Sequence, residues 1–125
     1  MTAVVLDASA LLAFVQDEVG ADVVEEAMAR GAICGAANWS EVSQKVLVAE
    51  RDWDLVRALL VSYDLVVEPV VVEDAEWAAR RWRSGEGLSL ADRLCLALGD
   101  RVDAEVLTAD TQWGSGGRIR QLRNA

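Results

Sequence analysis

Short apolar, β-branched runs recur along this chain, and a stretch of helical periodicity separates each from the next. Val4–Leu6, Ala32–Cys34, Leu65–Glu68 and Val106–Thr108 read as strands, and Ile119–Leu122 reads as a short last one. Between them, apolar residues recur three and four positions apart. Val24 with Met28, Val42 with Val46 and Ala49, and Leu55 with Leu59 and Leu60 each predict one buried helix face. Ala78 with Trp82 predict another, and Leu90, Leu94, Ala97 and Leu98 make the cleanest stripe. Strands that alternate with helices are joined by right-handed βαβ crossovers into a parallel sheet. Strands this short and this apolar belong to a sheet covered on both faces. The expected fold class is therefore α/β: three layers, with a central parallel sheet of four or five short strands flanked by helices. A length of 125 residues suits one domain spanning 1–125.

Sheets of this kind collect functional groups outside the carboxyl ends of their strands. Here those places are acidic. Asp7 ends the first strand in VVLDASALLAF, and Glu41 follows the second through GAANWSE. Asp110 follows the fourth through VLTAD, and Asp92 lies in the first turn of LSLADRLCLALG. Each has an ordinary structural explanation. Asp7 can cap a helix, Asn38 with Glu41 and Ser89 with Asp92 have capping-box spacing, and Asp110 can close an Asx turn. A cap is worth ~1 kcal/mol, enough to account for any one of them. Caps do not require the acids to converge. Two carboxylates ~4 Å apart repel by about 4 kcal/mol at an effective dielectric near 20, so four together call for a cation.

The chain contains no histidine. This removes imidazole acid–base chemistry, histidine-activated serine or cysteine nucleophiles, and histidine-ligated zinc. Oxygen-only ligation suits magnesium or manganese. Cys34 and Cys95 sit in apolar surroundings with no zinc spacing, and read as reduced core residues of a cytoplasmic protein. No apolar run approaches the ~20 residues that span a bilayer, so no membrane partner is expected. The start has no basic and apolar leader pattern, so no secretory signal is expected. A net charge of −9 opposes bulk electrostatic binding to nucleic acid. The arginines are unevenly spread, however. Arg80, Arg81, Arg83, Arg93, Arg118, Arg120 and Arg123 all fall in the second half. Of these, Arg93, Arg118, Arg120 and Arg123 are candidates to meet phosphate; solvated side chains are the alternative. Trp113 is read as packing beneath Asp110, with base stacking as the alternative. Trp39, Trp53, Trp77 and Trp82 are read as core or interface.

In order and spacing, VVLDASALLAF, NWSEV, LSLADRLCLALG and VLTADTQW resemble the PIN-domain ribonucleases, specifically VapC-type toxins of type II toxin–antitoxin pairs. The resemblance spans almost the whole chain. Its most specific part is LSLADRLCLAL together with LTAD and the tryptophan that follows. It implies a PIN-like fold and a magnesium- or manganese-dependent endoribonuclease. Asp7, Glu41, Asp92 and Asp110 would form the acidic quartet. Asp7, Asp92 and Asp110 would hold the metal directly or through water, and Glu41 would position or deprotonate the attacking water. Ser9 and Thr108 would orient the carboxylates, although a helix-start hydroxyl and a plain strand residue explain them too. The resemblance further implies structured RNA, a tRNA or rRNA, as substrate. It also implies a homodimer and a VapB-like antitoxin whose C-terminal segment fills the groove.

Three other readings, of two classes, compete. A receiver-type signalling domain shares the length, acidity and α/β order, but needs a lysine after its last strand and an aspartate after its third. The only lysine is Lys45, and Pro69 and valines follow the third strand. A haloacid-dehalogenase-type phosphatase is weaker, because DAS lacks that family's second aspartate. The other class is a catalytically inactive PIN-fold interaction module.

Overall fold

Residues 3–124 are described by the computed structural model. Five short strands form one parallel sheet: β1 (Val4–Leu6), β2 (Ile33–Gly35), β3 (Val66–Glu68), β4 (Glu105–Thr108) and β5 (Ile119–Gln121). Each expected run lies within a residue or so of a strand. Their order across the sheet is β3-β2-β1-β4-β5. The chain lays strands outward from β1 on one side, then returns to place β4 against the free edge of β1, Leu6 opposite Leu107. A reversal of this kind leaves a crevice at the carboxyl ends of the two strands that flank it.

Helices α1 (Ala8–Val15), α2 (Ala21–Ala29), α3 (Ala36–Val48) and α4 (Trp53–Val61) connect the first three strands. Helices α5 (Val72–Arg81) and α6 (Leu90–Arg101) connect β3 to β4. The reversal in the sheet sends right-handed crossovers to opposite faces. The core is accordingly double. Leu6, Leu11, Val24, Met28, Val42, Leu60 and Leu107 fill the α1–α4 side. Val5, Cys95, Leu96, Leu98, Val106 and Trp113 fill the other. Neighbours on one strand divide between the two cores because successive side chains alternate across the sheet. Gly99 lets α6 approach β4 closely; a Cβ there would lie 2.5 Å from Val106 Cγ2.

The helix stripes need correction at their ends. Leu55 and Leu59 are 68% and 46% exposed, leaving Leu60 as the buried anchor of α4. Leu90 is 58% exposed, and the buried run of α6 is Cys95 to Gly99. Trp82 is the C-cap of α5 with extended backbone, so it leaves the face of Ala78 and is exposed. Asn38 and Glu41 do not cap α3. The N-cap is Gly35, and both residues lie inside the helix.

The link from β4 to β5 has no full helix. It makes a 3-10 turn (Thr111–Trp113) and bends at Gly114, whose φ of +68° and ψ of −157° suit glycine alone. Trp113 packs into the α6 core as expected of it. Gln121, at the end of β5, donates through Nε2 to the carbonyls of Asp110 (2.9 Å) and Gly114 (2.7 Å), fastening both ends of the bend. Among the described residues no helix is long and apolar enough to cross a membrane.

Candidate active site

Asp7 lies at the reversal point, where β1 passes into α1. It caps the helix, with Oδ1 accepting from the Ala10 amide at 2.8 Å. Its Oδ2 accepts from the Thr108 hydroxyl at 2.6 Å, and the Ser9 hydroxyl is 2.7 and 2.9 Å from its two oxygens. The same hydroxyls accept in turn: Ser9 Oγ from the Ala109 amide (2.9 Å) and Thr108 Oγ1 from the Asp110 amide (3.0 Å). Each hydroxyl has one proton, and Asp7 takes both. Two side chains thus tie the β1–α1 turn to the loop that carries Asp110. The carboxylate of Asp110 caps the 3-10 turn, with Oδ1 accepting from the Gln112 amide at 2.9 Å.

Asp92 enters from α6. Ser89 and Asp92 form the expected capping box, the Asp92 amide donating to Ser89 Oγ (3.1 Å) and the Ser89 amide to Asp92 Oδ2 (3.0 Å). Glu41 enters from α3, where Asn38 Nδ2 donates to its Oε1 at 3.0 Å.

Burial dominates the electrostatics here. Asp7 is only 4% exposed. Desolvation by burial lifts its pKa from 3.8 to about 6; the bonds from Thr108, Ala10 and Ser9 pull the other way, and the charge of Asp92 adds to the rise. Burial also pushes the thiols of Cys34 and Cys95 far up. The charges of Asp7 and Glu41 reach Cys34, and those of Asp7, Asp92 and Glu41 reach Cys95. Hydrogen bonds link the acids in two pairs: Thr108 ties Asp7 to the loop of Asp110, and Asn38 ties Glu41 to the turn of α6 that carries Asp92. The donor set is all oxygen, and Asp7 carries an uncompensated burial cost that a hard divalent cation would relieve. Among the described residues no three acids stand close enough to form a ready-made cage.

The arginines are distributed otherwise. Arg93 turns away to α5, its Nη1 donating to the Ala78 carbonyl at 2.7 Å. Arg118 pairs with Asp103 at 2.7 Å, and Arg120 lies 3.7 Å from Glu105. Asp103 and Glu105 sit at the amino end of β4, so these two guanidiniums lie at the opposite edge of the sheet from the acids. Arg123, exposed in the turn after β5, is at the carboxyl edge. Two polar residues near the acids, Asn38 and Gln121, went unassigned in the sequence. Asn38 stood out only through its spacing from Glu41, and Gln121 through nothing.

The open parallel sheet, with Asp7 and Asp110 following the two strands at its reversal point, places the chain in the class of open α/β proteins whose sites form at the carboxyl ends of strands. Within it the family is specific. The chain matches the PIN domain over residues 4–116, and it belongs to the PIN domain family. PIN domains are generally nucleases, and PIN nucleases typically use divalent metals. A solved structure described as a toxin–antitoxin complex from Klebsiella pneumoniae is similar in fold, with a TM-score of 0.80 and 17% identity. That match covers 98% of this chain and 100% of the other. No curated protein matches the chain.

Proposed function

We propose that the protein is a metal-dependent endoribonuclease and the toxin of a toxin–antitoxin pair, cleaving structured RNA such as a tRNA or rRNA in the cytoplasm. The observation that carries this reading is the pairing, in a PIN-family chain, of Asp7 with the Asp110 loop through Thr108 and of Glu41 with the first turn of α6 through Asn38. Asp7, Asp92 and Asp110 would hold Mg2+ or Mn2+. The ion, when bound, acidifies a water and offsets charge on the phosphate in the transition state. Glu41 orients the attacking water and takes its proton. Ser9 and Thr108 hold Asp7 in place and keep the Asp110 loop against it. The solved structure of similar fold contains an antitoxin, which supports a VapB-like partner here. Exposed apolar side chains on α4 and β3, among them Leu55, Leu59, Val66 and Val67, support a homodimer.

The test is thermal unfolding of wild type and Asp92→Asn, with and without manganese, followed by RNA cleavage. Binding to the native state alone raises stability by about 2.7 kcal/mol at a hundredfold excess over Kd. Stabilisation of wild type only, with cleavage lost in Asp92→Asn, supports the nuclease. Manganese that moves neither melt, with no RNA cut, supports the inactive interaction module, a reading favoured by the open spacing of the acids.

A further inference from the structure

Asn38 is 1% exposed in the first turns of α3. It is not a cap, because the helix begins at Ala36 and its N-cap is Gly35, with no side-chain cap bond. Its Nδ2 donates to Glu41 Oε1 at 3.0 Å and to the Ala91 carbonyl at 3.4 Å. Both partners only accept, so they fix which way the amide points; reversed, Oδ1 would face a carboxylate and a carbonyl. The consequence falls on the other end of the group. Oδ1 is buried without a partner, and a Cβ at Gly35 would be 3.5 Å from it. A buried acceptor left unpaired costs stability, and a leucine of similar size would avoid that cost. The fold therefore carries an amide here that packing does not ask for.

We infer that Asn38 is a positioning residue for Glu41. It holds the carboxylate of α3 against the first turn of α6, at the residue next to Asp92, and so sets the distance between the water-handling acid and the metal-holding acids. This rests on the reading of Glu41 given above. The amide is neutral and a donor, which a carboxylate needs beside it. An aspartate at the same place would set two charges face to face.

The experiment is a double-mutant cycle of Asn38→Leu and Glu41→Gln, assayed on total tRNA and ribosomal RNA with manganese chloride. The RNA cut fastest by wild type then serves as substrate for kcat and KM. Asn38→Leu is expected to lower kcat by about tenfold to a hundredfold, with KM unchanged and the melting temperature held or raised. In the Glu41→Gln background the same change is expected to have no further effect on kcat, because the residue acts only through Glu41. Asn38→Asp, nearly isosteric, is expected to lower kcat at least as much. Full activity in Asn38→Leu overturns the inference, as does an equal loss in both backgrounds or a loss of activity that follows the loss of stability. A wild type silent on every RNA fails differently: it overturns the nuclease reading first, and this inference with it.

Discussion

Asp7 meets two opposed demands. Three donors favour its charge and burial opposes it, and burial prevails, raising the pKa from 3.8 to about 6. The folded pKa lies above the unfolded one, so between them the native state binds more protons than the unfolded chain. Stability contributed by this group is then fully present below the unfolded value and is lost as pH rises through about 6. A difference near 2 units corresponds to at most about 3 kcal/mol. Urea unfolding of the metal-free protein is expected to show this decline between about pH 4 and about pH 7, and manganese is expected to reverse it at the upper end. A flat profile would mean that the carboxylate is better solvated than its surroundings indicate. At this scale the places of Asp7 and Asp110 were legible because each closely follows a short apolar run that forms a strand. The direction of Arg93 was not, since it depends on the carbonyl that α5 presents at Ala78. Nor was the pairing of Asn38, which turns on α3 being capped at Gly35 rather than at Asn38 itself.

Helix α6 joins stability to chemistry in one turn. Ser89→Ala removes the hydroxyl that the Asp92 amide uses and is expected to cost about 1 kcal/mol. Asp92→Asn keeps an oxygen for the Ser89 amide and removes a charge that acts on Asp7. Its melting temperature without metal is expected to equal or exceed that of wild type, while the manganese shift disappears. Further along, Gly99→Ala sets two effects against each other. Helix propensity gains about 1 kcal/mol, whereas a Cβ 2.5 Å from Val106 Cγ2 forces α6 off β4, an overpacking worth about 1–3 kcal/mol. Net destabilisation is expected in chemical denaturation. The strands were readable from sequence because each is short, apolar and punctuated. The helix stripes were readable in their middles only: Leu55, Leu59 and Leu90 are apolar residues that point outward, and periodicity alone cannot distinguish a core face from a second apolar face.

Across the whole molecule, charge and topology are arranged about the sheet's two edges. The acids occupy the carboxyl edge. At the amino edge, Arg118 and Arg120 are paired with acids of their own. Partly exposed pairs of that kind add ~1 kcal/mol or less to stability, and they leave little positive field for RNA at that end. Arg118→Glu is expected to leave RNA cleavage unchanged, whereas Arg123→Glu, at the acidic edge, is expected to slow it and to weaken its dependence on salt. Competition assays across a salt series would separate the two. Leu55→Glu is expected to reduce self-association in sedimentation without touching the acids. The α/β class was legible from alternation, but the return of β4 to the side of β1 was not, because strand order depends on packing between segments far apart in the chain.

The bond from Thr108 to Asp7 joins residues 101 positions apart. Neither residue can complete this bond from its own stretch of chain, since it forms only where β1 and β4 lie side by side in the sheet. Loss of the β1–β4 pairing would therefore undo the setting of Asp7 even with every local helix intact.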